Sequence, residues 1–245
     1  MGPRYGLTCY WGPRAESTNI VADRFLGMLQ ELSRIDPAFG NWHLIADEGI
    51  ELAPMSRADL VHFIDDSVKR ADDGTPSPKD GYHFGVLNTL LRFPRQIGID
   101  IRTGSSIVGN YFINTVDVET QPLDDENASL ISCETFTQAV LAVTTAWEAT
   151  WCAAYPYTLL SPQRGSRPEF YMGWMTYLSA RFAPMVTPPL SATAQRLPDG
   201  ALLMIATKER FDTNNPTHLA AARDIAAAIA PVNALPWPPE YAFGT

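Results

Sequence analysis

The sequence predicts an α+β fold, in which a mainly antiparallel sheet with hairpins packs against three to four helices. Segments with strand character follow one another in clusters and do not alternate singly with helices, which favours antiparallel pairing over a doubly wound parallel sheet. Glycine-containing turns join neighbouring strand segments, as in hairpins. The helical segments carry apolar stripes, so each helix is expected to bury one side.

The N-terminal strand is predicted over residues 4–11, where large apolar residues alternate with smaller or polar ones as in a half-buried strand. A Gly-Pro pair ends this strand. A helix is predicted over residues 15–34 because apolar residues recur there at helical spacing. An Asp-Pro pair ends the helix, since the residue before a proline disfavours helical angles. The stripe consists of Ile20, Val21, Phe25, Met28, Leu29 and Leu32.

A second helix is predicted over residues 57–71, with Ser56 and Asp59 as its capping box. Proline, glycine and aspartate fill residues 72–81, which predicts a loop. Three strands follow, and a Gly/Ser-rich turn joins the last two in a manner that suits antiparallel pairing. These strands are predicted over residues 82–90, 97–102 and 110–118, and an acidic loop over 120–127.

The C-terminal half begins with a predicted helix and a weakly alternating strand. A hairpin then turns at Gly200, because glycine supplies the unusual backbone angles of the turn. The last helix has clear start signals, with Asn215 as a cap and Pro216 at its first position. The ranges are 134–147 for the first helix, 171–179 for the strand, and 193–197 and 201–206 for the hairpin. The last helix is predicted from residue 216 to residue 230, with strong helix formers over 219–230. The proline- and aromatic-rich tail over 236–245 is expected to pack on the body.

We expect residues 1–245 to form a single domain, since no composition shift marks an interdomain linker. The loops over residues 72–81 and 156–169 allow at most a weak two-part organisation. The chain has 245 residues, of which 46% are hydrophobic, and this proportion argues against disorder. A chain of this length can bury a large core.

The net charge of −9 excludes several classes of partner. General binding to nucleic acid needs a surface of lysine and arginine, and an anionic membrane would repel an acidic chain. No apolar run approaches the roughly 18–20 residues that span a bilayer. The N-terminus lacks the apolar stretch of a signal peptide, so a cytoplasmic location is expected.

The sequence contains no recognisable enzyme motif. The four histidines form no helical metal pair, and the three cysteines are far apart, as expected of small hydrophobic residues in a reducing compartment. Phosphate-binding loops, dinucleotide fingerprints and nucleophile elbows are also lacking. We therefore predict no catalytic residue, cofactor or metal. Acid pairs such as Asp124 and Glu126 leave a metal-dependent hydrolase as an alternative.

Most of the negative charge lies in one stretch of the chain. No lysine or arginine occurs between Arg102 and Arg164, whereas seven acidic residues do. Such a stretch could maintain solubility, or it could meet a basic partner. The main cluster is Asp117, Glu119, Asp124, Asp125 and Glu126, and a weaker one is Asp47, Glu48 and Glu51.

Three motifs in the same order resemble the immunity protein 52 family. The first is a strand ending in WGPR that leads into a helix closed by D-P-x-F and a tryptophan. The second is GW-x-TYLS, and the third is a strand, an ERF turn and a capped helix. The residues that carry them are Trp11, Gly12, Pro13, Arg14, Glu16, Ser17, Asp36, Pro37, Phe39 and Trp42; Gly173, Trp174, Thr176, Tyr177, Leu178 and Ser179; and Glu209, Arg210, Phe211, Asn215 and Pro216.

The resemblance implies an immunity protein, the antitoxin of a toxin–immunity pair. Such proteins are similar in role to the partners of restriction-endonuclease-like toxins that competing bacteria deliver, often by the type VI secretion system. The implied partner is a cognate nuclease toxin, bound in the cytoplasm by a protein without catalytic residues of its own. Inhibition would occlude the active site or the DNA cleft of the toxin.

Under this interpretation the two acidic clusters are the candidate toxin-binding residues, because a DNA-binding groove is basic. For the family-motif residues a structural role is favoured over a contact with the toxin. A non-catalytic adaptor of a secretion cluster and a metal-dependent hydrolase remain the alternatives. The motif residues concerned are Trp11, Gly12, Pro13, Arg14, Gly173, Trp174, Tyr177, Glu209 and Phe211.

Overall fold

The computed structural model describes residues 2–46, 49–51, 56–89, 94–108, 113–160 and 169–235. In this part of the chain, ten strands form one sheet in which every neighbouring pair is antiparallel. The strands are β1 Tyr5–Trp11, β2 His43–Ala46, β3 Gly49–Glu51, β4 Tyr82–Leu87, β5 Ile97–Thr103, β6 Asn114–Thr120, β7 Trp151–Pro156, β8 Met175–Leu178, β9 Thr193–Arg196 and β10 Leu202–Ile205.

The order of strands across the sheet is β3-β2-β4-β5-β6-β1-β7-β8-β10-β9. Strand β1 lies near the middle and pairs with β6 on one side and β7 on the other. It therefore joins the strands that precede residue 121 to those that follow residue 150.

Five helices accompany the sheet in the described residues, so the α+β prediction is confirmed. The long ones begin at polar caps whose side chains accept a hydrogen bond from a backbone N–H in the first turn. These caps are Ser17, Ser56, Ser132 and Asn215. The helices are α1 Thr18–Ser33, α2 Arg57–Asp66, α3 Cys133–Trp147, the single turn α4 Tyr157–Leu160 and α5 Pro216–Asn233. The caps predicted at Ser56 and Asn215 are confirmed, whereas α1 begins at Thr18, three residues later than predicted, because Ser17 caps it.

The second helix is shorter than its sequence pattern predicts. It ends at Asp66 because the next residues pair with another segment: Val68 forms a β-bridge with Tyr82, and the Lys69 N–H donates to the Gly81 carbonyl at 2.9 Å. This pairing is a tertiary contact, which helical periodicity cannot reveal. The last helix, by contrast, continues through Pro231 to Asn233, beyond the predicted end at residue 230.

Several strand predictions also need correction. The strand over 171–179 is reduced to β8, and the strand over 110–118 is shifted to β6. Strands β2, β3 and β7 were not predicted. Strand β7 is buried at all six positions, so its sequence shows no alternation. The tail 236–245 lies outside the described residues.

One face of the sheet carries the main core, under α1, α2 and α3. Phe84 packs edge-on against Phe25 of α1 and Phe63 of α2, with ring centroids 5.3 and 6.1 Å apart. Trp11 stacks on Trp147 of α3 at 5.3 Å. Because successive strand residues point to opposite faces, the neighbours of Phe84 and Trp11 belong to the other face of the sheet.

That other face is also partly covered, which corrects the prediction of a half-buried first strand. Gly6 and Thr8 of β1 are buried along with the core-facing residues. A Cβ atom at Gly6 would lie 3.1 Å from the ring of Tyr157, so this ring rests on the strand. The sheet therefore has aromatic cover on the face opposite α1, α2 and α3.

Candidate functional site

The face opposite α1, α2 and α3 gathers carboxylates, hydroxyl groups and tyrosine rings on the central strands. The register places Asp100 of β5 opposite Asp117 of β6, and Asp117 opposite Thr8 of β1. Directly opposite residues share a face, so these side chains lie side by side. We call this surface the carboxylate–tyrosine face, formed by Thr8, Tyr10, Asp100, Thr115, Asp117, Glu119, Tyr155, Tyr157 and Tyr171.

A hydrogen-bonded relay of hydroxyl groups ends at Asp117. The Thr8 hydroxyl donates to Asp117 Oδ1 at 2.5 Å and also lies 2.5 Å from the Tyr155 hydroxyl. A threonine hydroxyl has one hydrogen, so Tyr155 is the donor to Thr8 when Thr8 donates to the carboxylate. The relay fixes the Thr8 and Tyr155 side chains and orients the Asp117 carboxylate.

Tyrosine rings surround this relay. The rings of Tyr155 and Tyr171 meet edge-on with centroids 5.7 Å apart, and the hydroxyl groups of Tyr10 and Tyr171 are 3.3 Å apart. The Tyr157 hydroxyl donates to the Glu119 carboxylate. Burial raises the pKa of Tyr10 to about 12 and also raises the pKa of the other three, so all remain neutral donors at pH 7.

The surroundings of Asp117 disfavour the ionised form of its carboxyl group. Burial raises the pKa of this carboxyl from its ordinary value of 3.8 to about 6, against the opposing hydrogen bond from Thr8. The carboxylates of Asp100 and Glu119 raise the pKa further, whereas the guanidinium of Arg102 lowers it. Ionisation of Asp117 therefore requires more free energy in the folded protein than in the unfolded chain.

Two polar atoms beside Asp117 have no hydrogen-bond partner within the described residues. One is Oγ1 of Thr115, whose residue is 5% exposed, and the other is Oδ1 of Asp100. The second oxygen of Asp100 lies 2.7 Å from Nε2 of His83, and Arg102 Nη2 is 3.5 Å from Oδ1. Buried polar atoms without hydrogen-bond partners are uncommon in folded proteins. These two atoms are therefore candidates for hydrogen bonds to a ligand.

The WGPR segment forms a different structure, which ties α1 to α3. Arg14 Nη2 donates to the Trp147 carbonyl at 2.9 Å, and the guanidinium contacts the carboxylates of Glu16 and Glu148 at 3.2 Å each. Arg24 reaches the same two carboxylates from α1 at 2.7 and 2.8 Å. The cluster thus neutralises a buried Glu16 and satisfies the end of α3.

Backbone groups of the WGPR segment also form hydrogen bonds to the rest of the fold. The Gly12 carbonyl accepts from the buried Asn114 amide at 2.7 Å, and Pro13 is half-buried. The Arg14 N–H donates to the Ser105 carbonyl at 2.8 Å. Trp11, Gly12 and Arg14 of the segment therefore have contacts within the fold.

The second and third motifs also lie largely in the core. The indole N–H of the buried Trp174 donates to the Thr207 carbonyl at 2.8 Å, and Tyr177 is buried on β8. The carbonyl of the buried Phe211 accepts from the Tyr5 hydroxyl at 2.7 Å. Glu209 is exposed and lies 3.2 Å from Nε2 of His218.

The family model of immunity protein 52 matches residues 4–235. The chain belongs to the immunity protein 52 family. This membership confirms the resemblance carried by the three motifs and supports an immunity role, with a cognate toxin as partner.

A solved structure has a similar fold. The Pseudomonas aeruginosa T6SS protein PA0821 aligns with a TM-score of 0.54 at 12% sequence identity, over 94% of this chain and 77% of that chain. At this identity the likeness shows the fold alone. No curated protein matches this chain.

In this member of the immunity protein 52 family, the main acidic cluster of the sequence is divided between two places. Asp117 and Glu119 lie on β6, in the carboxylate–tyrosine face. Asp124, Asp125 and Glu126 are exposed in the loop after β6. The two parts are neighbours in sequence but differ in burial and in their contacts.

Asp124 stabilises its own loop. Its Oδ1 accepts hydrogen bonds from the backbone N–H of Glu126 at 2.9 Å and of Asn127 at 3.0 Å. The buried Asn127 side chain holds the loop from the other side and donates to the Pro94 carbonyl at 2.8 Å. This use of Asp124 argues against the Asp124–Glu126 pair as a metal site, and no group of three or more metal-ligating side chains occurs within the described residues.

The weaker acidic cluster lies elsewhere. Asp47 and Glu48 are outside the described residues. Glu51 is on β3, with its backbone opposite Leu44 of β2. Strand β3 is four strands from β6, a separation of about 19 Å at roughly 4.8 Å per strand. The structure therefore does not bring Glu51 to the carboxylate–tyrosine face.

Sequence reasoning missed most of this face. Thr8, Tyr10 and Asp100 lie on predicted strands, but only the strand pairing places them beside Asp117. Tyr155 lies on β7, which was not predicted. Strand alternation assigns Thr8 and Tyr10 to one face of the first strand, yet no local signal identifies their neighbours across the sheet.

Proposed function

We propose that this chain binds and neutralises a secreted nuclease toxin of restriction-endonuclease-like fold in the cytoplasm of the cell that makes both. Family membership supports the immunity role. The nuclease class is the one that the family resemblance implies. The observation that carries the proposal is the set of carboxylates of Asp100, Asp117 and Glu119 on a partly covered sheet face, in a chain with net charge −9.

The physical reason is competition with DNA. A nuclease holds the phosphate backbone in a groove lined with lysine and arginine. A protein that presents carboxylates can occupy such a groove, and opposite charge also accelerates the encounter and disfavours wrong partners. Inhibition then results from occlusion of the active site or the DNA cleft, and the inhibitor needs no chemistry of its own.

Membrane insertion is not part of this proposal. In the described residues, no helix has both the length and the apolar character needed to cross a bilayer. The toxin is to be tested in the cytoplasm because chromosomal DNA is the target of the proposed nuclease.

The test is co-expression with the toxin encoded beside this chain's gene, produced without its delivery domains. We expect growth to be restored and chromosomal DNA to stay intact when both are made. An unrelated protein of equal size and net charge is the control for bulk charge. Continued killing while this chain is abundant and folded would refute the immunity role. Killing without DNA damage, relieved by this chain, would refute only the nuclease class.

A further inference from the structure

We propose that the carboxylate–tyrosine face is the toxin-docking surface, and that it receives an arginine side chain of the toxin beside Asp100 and Asp117. This inference rests on the proposed immunity function. The toxin would contact the strand face that carries Asp100 and Asp117, and not the exposed loop after β6. The partner chemistry is a guanidinium group, a planar cation with hydrogen-bond donors only.

The first support is the pairing of like charges. Asp100 and Asp117 are directly opposite on neighbouring strands, where side chains lie about 4.5–5.5 Å apart at Cβ. Two carboxylates at this spacing destabilise the sheet, and His83 and Arg102 contact only Asp100. A cation placed beside both carboxylates removes this repulsion, so the arrangement favours a bound cation over the empty face.

The second support is independent of charge. Thr115 lies opposite both Tyr10 and Arg102, two residues before Asp117 on the same face of β6. Within the described residues its Oγ1 is buried without a hydrogen-bond partner. Oδ1 of Asp100 also lacks a hydrogen bond there, and its ion-pair contact is with the Arg102 guanidinium at 3.5 Å. Together with the Asp117 carboxylate these atoms offer several acceptors in one place. Arginine has five N–H donors and no acceptor, so it matches such a set.

The third support is the aromatic surround. Tyr10 stacks on Trp151 with centroids 5.0 Å apart, and Tyr171 meets Trp151 edge-on at 4.4 Å. Trp151 is fully buried and supports the rings of Tyr10 and Tyr171, which are partly exposed. Tyrosine is enriched at interface hot spots, since a rigid ring loses little entropy on binding. Guanidinium groups also stack on aromatic rings, whereas an ammonium group is a compact, strongly hydrated charge. The face therefore favours arginine over lysine.

Charge complementarity excludes a second copy of this chain as the favoured occupant. Among the described residues, the face presents the carboxylates of Asp100, Asp117 and Glu119 against the guanidinium of Arg102 and the imidazole of His83. Two such faces would repel one another. A basic protein surface gains attraction at the same place.

The test measures the dissociation constant for the catalytically inactive form of the toxin encoded beside the gene. The variants are Asp117→Asn and Thr115→Val, with Asp125→Asn as the control that removes an equal charge from the exposed loop. Asparagine retains an oxygen that accepts from Thr8, so the Asp117 variant keeps its fold contact. We expect at least tenfold weaker binding for Asp117→Asn, about threefold for Thr115→Val, and less than twofold for Asp125→Asn.

The outcomes separate the two proposals. If the native chain does not bind the toxin, the immunity function and the docking face both fail. If it binds but Asp117→Asn changes affinity by less than twofold, the docking face is wrong and the immunity function stands. Binding that EDTA abolishes would show a divalent cation in place of arginine. A dimer of this chain that Asp117→Asn dissolves would show a second copy as the occupant, and either result overturns the proposal.

Discussion

Asp117 lies on an inner strand of the sheet, between the Thr8 hydroxyl and the Asp100 carboxylate. Burial and neighbouring carboxylates raise its pKa to about 6. Between pH 4 and pH 6 the unfolded chain releases this proton more readily than the folded chain does. The stability of the fold therefore falls as pH rises through this window, in contrast to a carboxylate that is held in a salt bridge.

Asp117→Asn removes this titration. We expect the variant to exceed the native chain in free energy of unfolding by on the order of 2 kcal/mol at pH 7.5, with the difference disappearing near pH 4. Urea unfolding at both pH values measures the effect. Asp125→Asn, in the exposed loop, should stay within about 0.5 kcal/mol of the native chain. If the Asp117→Asn protein is less stable than the native chain at pH 7.5, the ionised Asp117 carboxylate does not destabilise the fold.

At the level of elements, the close approach of two backbone segments explains the glycine of the family motif GW-x-TYLS. Gly173 precedes β8 where the chain passes against β7, and a Cβ atom there would lie within 3.0 Å of the carbonyl oxygens of Ala154 and Met175. Its N–H donates to the Thr176 hydroxyl at 3.1 Å. Only glycine permits this approach, and the approach sets the position of the buried Trp174.

Gly173→Ala should therefore lower the free energy of unfolding by about 2–4 kcal/mol, because two strands must separate to admit one methyl group. Gly27→Ala is the matched control. Gly27 lies within α1, and a Cβ atom there would meet nothing within 4 Å, so alanine should stabilise the helix by about 0.5–1 kcal/mol. Thermal or urea unfolding measures both variants. Equal effects of the two substitutions would contradict the close approach.

For the molecule as a whole, β1 is the strand on which both parts of the sheet depend. Strands β2 to β6 are on one side of it and β7 to β10 are on the other. The hydroxyl of Tyr5, the first residue of β1, is bonded to the Phe211 carbonyl near the start of α5. The N-terminal strand is thus connected to nearly the full length of the chain.

We expect the chain to unfold as a single domain. Loss of β1 would expose the paired edges of β6 and β7 together, so the two parts of the sheet should lose structure at the same temperature. Calorimetry should give one transition with equal calorimetric and van't Hoff enthalpies. Two separate transitions would show that the parts of the sheet on either side of β1 are independent units.

The local features of this protein could be predicted from sequence. The α+β class, the caps at Ser56 and Asn215, and most of the stripe of α1 depend on residues within a few positions of each other. Ile20 of the predicted stripe is an exception, because it is 47% exposed near the start of the helix. The family motifs can also be identified from sequence, because each consists of residues close together in the chain. Strand β7 could not be found, since burial on both faces removes the alternation on which the prediction depends.

The candidate site required the tertiary structure. Asp117 and Asp124 are close in sequence, yet one is on a sheet face and the other caps a loop. Asp100 is 17 residues from Asp117 and becomes its nearest acidic neighbour across the strands. Composition fixes how much negative charge the chain carries. Strand register, which depends on pairing between distant segments, decides which carboxylates stand together and which of them are left without a counter-charge.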